Sequence, residues 1–526
     1  MKRDFSQLSG RQFDLFICGG GIYGAWTAYD AALRGLRVAI VDQGDWACAT
    51  SSASSKLIHG GLRYLETYDF KLVRKALAER IWLLEAAPHR VWPLRFGVPV
   101  YADSRIGTLQ LKAGLCLYDF LAGRSGKSRK HEGMNHRHLG RNAFADRFPF
   151  LKASRLKGGF TYGDAQTDDA RMVLELIAGA MEAGAVCVNY SRVTGYTETE
   201  GRVNGATVED RISRNTAHVT ARKIVNTSGQ WMSTSEPGRS NIRLSKGVHL
   251  VMPALQTEEA LLLTARSDGR VFFMIPWYGM TLIGTTDNDY RGDPDLVEVE
   301  ASEVSYLLAE ANHYLDHEWI EKDIVGSYAG LRVMKHSDDV SSSAVSRDWE
   351  LKAAENGIYY SIGGKITSAR EDAASIVDTV CAQLGVDVTC QTRCRRFPWA
   401  PEQDFPEWSV SITDRANRLH IDRESTLWLA RRHGRRVEEV LHMVEHDAKL
   451  AERIMPALPF INADLLYCAG DEMVIHLQDL LRRRMPLLIL ARLSESDLRR
   501  IASAVAMVMG WDDAAIDSEV EACRQR

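Results

Sequence analysis

Residues 13–42, FDLFICGGGIYGAWTAYDAALRGLRVAIVD, constrain the fold more than any other stretch. An apolar run, glycines in a G-x-G-x-x-G pattern (Gly19, Gly21, Gly24), a helical segment, a second apolar run and an acid follow in register. That order is the βαβ unit that holds a dinucleotide. Gly19 permits the tight turn, Gly21 lets backbone approach a pyrophosphate, Gly24 lets helix and strand pack closely, and the helix N-terminus stabilises phosphate charge. Asp42 follows Gly24 by 18 residues, where a carboxylate accepts from ribose hydroxyls and repels a 2′-phosphate. NADP is thereby disfavoured, and NAD and FAD both remain open.

The next segment, CATSSASSKLIHGGLRYL (48–65), runs from small hydroxyl residues into a basic and aromatic patch with a glycine pair. Thr50, Ser51, Ser55, Lys56 and Leu57 belong to a stretch that can hydrogen-bond phosphates and ribityl hydroxyls, and Gly60 with Gly61 admits a flat ring system. With these residues the chain resembles the FAD-dependent, quinone-linked glycerol-3-phosphate dehydrogenase family. YGDAQTDDAR (162–171), NTSGQW (226–231), KGVHLVMP (246–253), IPWYGMTLIGTTD (275–287), SYAGLR (327–332) and GGKITSARE (363–371) resemble family blocks in family order, with a weaker echo at 477–484. The resemblance implies an α/β flavoprotein: a Rossmann-like, glutathione-reductase-type FAD-binding domain (1–90, 150–245 and 327–394), an antiparallel-sheet substrate domain (91–149 and 246–326), and a linker with a helical C-terminal domain (395–526). It also implies FAD, a small phosphorylated polyol, a quinone acceptor, peripheral membrane contact and a homodimer.

Composition agrees with that expectation. At 526 residues and 45% hydrophobic the chain should form two or three domains. A net charge of only -4 offers no electrostatic case for nucleic acid. The polar start MKRDFSQLSGRQ has no signal-peptide core, and no run of eighteen apolar residues follows, so an intracellular enzyme at the inner face of the cell membrane is expected. The nine cysteines read as reduced thiols, and Cys390 with Cys394 lacks the further ligands a zinc site needs. No metal is expected.

Prolines and aromatics concentrate at 395–408, a linker or rigid strap, and helical spacing follows at 425–433 and 438–446. The arginine runs there, Arg431, Arg432, Arg435, Arg436 and 482–484, read as solvated helix faces. Two apolar runs around Trp277-Tyr278-Gly279-Met280 predict a hairpin. Residues 71–96 mix basic side chains with Trp82, Trp92 and leucines, a composition suited to an anionic surface, with 109–121 and the C-terminal arginines as rival contact surfaces.

Two later segments return the chain to the cofactor. RKIVNTSG (222–229) ends a strand in a small-residue turn with Ser228 and Gly229, and 359–367 does the same through Gly363 and Gly364. Ser368 and Glu371 fit a capping box, which would leave N–H groups around Lys365, Ile366 and Thr367 for a flavin carbonyl. Oxidising a secondary alcohol requires a hydride acceptor and a base that is neutral near pH 7, so His59 and His249, in the blocks the family places beside the flavin, are the candidates. A phosphate dianion calls for arginine forks or a lysine, and family position points to Arg63, Arg332 and Lys365, Arg332 also serving to polarise the developing carbonyl. Val248, Val333, Ser368 and Ala369 depart from the family pattern and are expected to change the pocket. A soluble oxidase of the same fold, a dehydrogenase of another polyol phosphate, and a non-catalytic flavin-binding module are the alternatives.

Overall fold

A computed structural model describes residues 1–66, 68–125, 133–232, 242–335 and 349–524. Strands Gln12–Cys18 and Val38–Val41 lie parallel, joined by helix Ile22–Leu33. Val38–Val41 is buried at every position, as an aliphatic strand covered on both faces must be. An eight-stranded sheet grows from this pair. Its order is Glu350–Ala353, Ile358–Ile362, Thr216–Asn226, Gln12–Cys18, Val38–Val41 and Val186–Val188, all parallel from Ile358–Ile362 onward, with the hairpin Ser191–Thr199 and Arg202–Asp210 attached to Thr216–Asn226. Helices Ile22–Leu33, Asp169–Glu182 and Ala369–Leu384 pack together on it, which brings the carboxyl ends of three parallel strands, and the glycine turns after them, to one crevice.

The second sheet has ten strands, and its pairings are antiparallel except for Ala260–Thr264 beside Val91–Tyr101. Leu156–Thr167 and Gly326–Lys335, which the division above sets with the cofactor-binding part, are hydrogen-bonded into this sheet, to Val91–Tyr101 and Ile242–Met252 respectively. The hairpin forms from Val271–Trp277 and Met280–Gly284. Its two-residue turn, Tyr278 and Gly279, has positive φ at both positions, the geometry that matches the twist of the flanking strands. Tyr278 stacks on Trp428 at 3.7 Å, so the turn aromatics serve packing against the C-terminal helices.

Those helices include Phe405–Arg418, Arg423–His433, Val437–His446, Asn462–Asp471, Glu495–Met509 and Asp513–Arg524. The proline-rich stretch before them is a strap docked on the first helix: Phe397 meets Trp26 edge-on at 5.3 Å, and the Trp399 N–H donates to the buried Glu175.

Two expectations are corrected here. The arginine runs are largely internal. Arg432, Arg483 and Arg484 are buried on carboxylates, and Arg431 lies over the Trp92 ring at 4.2 Å. Much of 71–96 likewise faces inward, although Lys71 and Arg74 are exposed. Arg80 is buried on Asp164, Arg90 on Glu175, and Lys75 reaches Asp372, because helix Phe70–Ala86 must bury Leu72, Val73, Leu77 and Leu83 against its own domain.

Candidate active site

The glycine turn is a cradle only backbone can form. Gly19 has φ +107°, and a Cβ there would lie 2.7 Å from the Thr227 carbonyl oxygen. A Cβ on Gly24 would overlap the Gly19 carbonyl oxygen. Gly21 is the N-cap of Ile22–Leu33 and caps it with no side chain, leaving the positive helix end to an anion. Ser51 lines the same place: its Oγ accepts from the Ile22 N–H at 2.9 Å. Asp42, buried at the end of Val38–Val41, accepts from the Gly20 N–H at 2.6 Å and the Gly44 N–H at 2.8 Å. Burial pushes its carboxyl up to about 6, against the pull of those two amides. Thr227 closes the cradle by donating to Gly19 O, Asn226 accepts from both the N–H and the hydroxyl of Ser228, and Gly229 takes φ +60° just beyond. These residues fit a dinucleotide: a helix end without a charged cap, a close backbone approach and a carboxylate at the end of the second strand.

Beside the cradle, one face of the antiparallel sheet carries the polar groups. Opposite partners in an antiparallel ladder share a face and successive residues alternate. His249 pairs with Tyr328 and Ser245 with Arg332, so His249, Gly247, Tyr328, Gly330 and Arg332 all point the same way. The His249 ring stacks on Tyr328 at 4.8 Å and shares a 2.8 Å hydrogen bond from Nε2 with Ser55 Oγ. Its Nδ1 is buried with no hydrogen-bond partner. Burial first, then Arg332 and Lys56, hold this imidazole well below its ordinary pKa, so it is neutral at pH 7. Arg332 is held from three sides: Nη2 donates to Thr285 Oγ1 at 3.0 Å, and Nη1 to Thr286 O at 3.3 Å and the Asp287 carboxylate at 3.4 Å. Gly247 makes room for it, since a Cβ there would stand 2.6 Å from Nη2.

The loop 50–56 lies along this face. Thr50 Oγ1 donates to Leu331 O at 2.6 Å, Tyr328 OH donates to Ser54 O at 2.7 Å, and the buried Lys56 pairs with Asp169 at 2.6 Å. Leu57 is buried in the short strand Leu57–Ile58, opposite Gln166.

A second group hangs from the turn after Ile358–Ile362. The His59 N–H donates to Thr367 Oγ1, and the Lys365 ammonium lies 3.5 Å from the centroid of the Tyr64 ring, next to the half-buried Arg63. Ile366, in the same turn, is partly buried against the cofactor-domain core. The expected capping box does not form: the helix spans Ala369–Leu384, and the Ser368 hydroxyl donates instead to Asp372 Oδ2 at 3.1 Å. The Lys365 N–H goes to the Tyr23 hydroxyl, itself donated to Asp372. Gly60 donates its N–H to Tyr118 OH at 2.9 Å, and Tyr118 rests on the buried Asp164, which fixes the loop carrying His59 and Arg63.

Thus the structure unites His249, Ser55, Arg332 and Thr50 on one wall, and His59, Lys365 and Thr367 on another. Sequence reasoning missed Tyr328, Thr285, Asp287, Tyr118 and Asp164, although Tyr328, Thr285, Asp287 and Asp164 lie inside the blocks already singled out. It also misjudged the departures. Val248 and Val333 alternate away from the His249 and Arg332 face, Val248 into a fully buried core, and Ala369 packs in the helix core. None of these three reaches the polar face. His433, Asp464 and Cys468 bring metal-ligand atoms within 4.8 Å of one another. The Asp464 carboxylate is already bonded by Arg432 and His433, so the cluster is a buried ion pair.

An FAD dependent oxidoreductase family matches residues 14–370, and the C-terminal domain of alpha-glycerophosphate oxidase matches residues 396–516. A glycerol-3-phosphate dehydrogenase of Synechocystis sp. is 33% identical over 99% of this chain and 97% of its own. An aerobic glycerol-3-phosphate dehydrogenase of Staphylococcus saprophyticus is 32% identical over 91% of this chain and 87% of its own. The crystal structure of glycerol-3-phosphate dehydrogenase from Bacillus halodurans, complexed with FAD, superposes with a TM-score of 0.78 at 28% identity, covering 99% of this chain and 95% of that one.

Proposed function

Because the chain belongs to the FAD-dependent oxidoreductase family and, along nearly its whole length, to the glycerol-3-phosphate dehydrogenases within it, we propose that it oxidises sn-glycerol 3-phosphate to dihydroxyacetone phosphate and passes the electrons to a quinone. FAD, when bound, supplies the hydride acceptor. Gly19, Gly21, Gly24, Asp42, Ser51 and Ser228 hold its dinucleotide portion, and the walls of the adjoining crevice hold the substrate. The observation that carries this reading is the shared face of His249 and Arg332: a neutral imidazole and a braced guanidinium on adjacent strands, four register positions apart. His249, neutral and hydrogen-bonded through Nε2 to Ser55 Oγ, takes the hydroxyl proton. Arg332 grips phosphate or the developing carbonyl oxygen, with Arg63 and Lys365 completing the dianion pocket. His59, whose N–H donates to Thr367, is the rival base.

A peripheral, homodimeric enzyme at the inner face of the cell membrane completes the proposal. No helix among the described residues is long and apolar enough to cross a membrane. Exposed Leu109 and Phe120 on helix Thr108–Ser125, with Tyr68 and Phe70 nearby, supply an apolar surface for bilayer contact. Anaerobic titration tests the reaction: glycerol 3-phosphate should bleach the flavin and unphosphorylated glycerol should not, with reoxidation by added quinone. Equal bleaching by both alcohols overturns the phosphate assignment, and rapid reoxidation by air alone favours an oxidase.

A further inference from the structure

The C-terminal helical part makes an unexpected connection to the dinucleotide cradle. Trp46 is fully buried, and its ring lies so close under the glycine turn that a Cβ on Gly20 would overlap it. The neighbouring Asp45, also buried, receives Arg484 on both oxygens, Arg483 Nε at 2.6 Å and Asn189 Nδ2 at 3.2 Å. Arg484 is itself locked by the carbonyls of Glu472 and Met473, and Trp46 Nε1 donates to Met473 Sδ at 3.3 Å. Arg483 is braced by Asp479, which accepts from the Tyr190 hydroxyl. Both arginines stand in a single π-helical turn, Leu480–Arg484, a rare geometry that recurs at functional sites. The turn 43–48 between Asp42 and the Thr50-Ser51 segment is therefore held by groups more than 420 residues away in sequence.

We propose that Arg483 and Arg484 are positioning residues for the cofactor: through Asp45 and Trp46 they set the floor of the glycine turn and the pose of Asp42, so that the C-terminal part governs FAD affinity and in turn senses FAD. This rests on the chain binding FAD and not on its substrate. Asp45 acts because its anchored carboxylate fixes the backbone of 43–46, from which the Gly44 N–H reaches Asp42. Trp46 acts by contact. Since binding couplings are reciprocal, whatever the clamp contributes to FAD binding, FAD returns as protection of the clamp.

Two measurements test it. In the unaltered protein, hydrogen exchange with and without FAD should show slowed exchange at 472–484 as well as at 19–24 and 42–51. In variants, Arg484→Lys keeps the charge and loses the fork, and Trp46→Phe keeps a ring and loses the N–H to Met473. Each should raise the Kd for FAD about tenfold or more while circular dichroism of the apoprotein is unchanged. Exchange at 472–484 that is indifferent to FAD, or folded variants whose Kd stays within about twofold of the parent, overturn the proposal. If Arg484→Lys does not fold, Trp46→Phe and the exchange comparison still decide. Failure of the parent protein to bind FAD at all removes the cofactor reading itself, a separate outcome.

Discussion

At the scale of single residues, the site depends on charges whose protonation is set by burial. His249 is held well below its ordinary pKa chiefly by desolvation, with Arg332 and Lys56 adding repulsion. A base acts deprotonated, so a depressed pKa keeps it active into acid: the acid limb of kcat/KM should fall well below pH 6.5, and His249→Asn should abolish that limb while His59→Asn leaves it in place. Asp42 moves the other way, up to about 6. Below that pH it carries a proton and loses acceptor capacity, so FAD should bind more weakly as pH falls through about 6. Fluorescence titration checks this, with Asp42→Asn flattening the profile. Nearby Asp45 stays ionised through its two arginines, so it does not titrate in that window. Arg332→Lys replaces a fork held by Thr285 and Asp287 with a point charge. It should lower kcat/KM for glycerol 3-phosphate about ten- to a hundredfold and leave FAD bound.

At the scale of elements, the first helix and the strand before it meet through glycine. A side chain at Gly24 would strike the Gly19 carbonyl, which is backbone and cannot swing aside. Gly24→Ala should therefore destabilise the cofactor domain by about 1–3 kcal/mol, seen as a lower Tm of apoprotein and holoprotein alike. Gly21→Val differs in kind. Its nearest neighbour would be the Ser51 hydroxyl at 3.1 Å, a contact a small shift relieves, so the apoprotein should fold and fail to retain FAD. A βαβ unit announces itself in sequence because turn, helix cap and strand are all specified by residues within thirty positions, and so does the hairpin at 271–284, whose turn residues are adjacent. The capping box at Ser368 gives way to Asp372, four residues on along the same helix, whose carboxylate takes the Ser368 hydroxyl together with Tyr23 and Lys75.

At the scale of the whole molecule, the proposed quinone acceptor calls for a bilayer contact that no helix among the described residues is long and apolar enough to supply by crossing. The basic helix at 70–86 spends Lys75 and Arg80 internally, and the large apolar side chains exposed on the next helix are Leu109, 83% exposed, and Phe120, 56% exposed. Leu109→Glu combined with Phe120→Glu should abolish co-sedimentation with anionic vesicles while soluble-acceptor turnover persists, and binding of the parent should weaken as salt rises. Vesicle binding that survives the double substitution places the contact elsewhere.

The amino-acid sequence by itself determined the dinucleotide unit, the strand and turn at 222–229, the hairpin and the helical C-terminal part, because each depends on spacing among near neighbours. His249 and Arg332 stood in the family-like blocks KGVHLVMP and SYAGLR, which are contiguous in sequence. The tertiary structure alone decided that those two residues share a face, through the pairing of His249 with Tyr328 and Ser245 with Arg332 across some 80 positions. It alone showed that Val248 and Val333 turn away from that face, and that arginines with the look of a solvated surface are the buried partners of Asp45 and Asp464. The physical reason is the same in each case. Hydrogen-bonded turns and helix ends are satisfied by atoms close along the chain, whereas the partner of a charged side chain is whatever packing brings within about 3 Å, and that is fixed only when distant segments bury their apolar faces together.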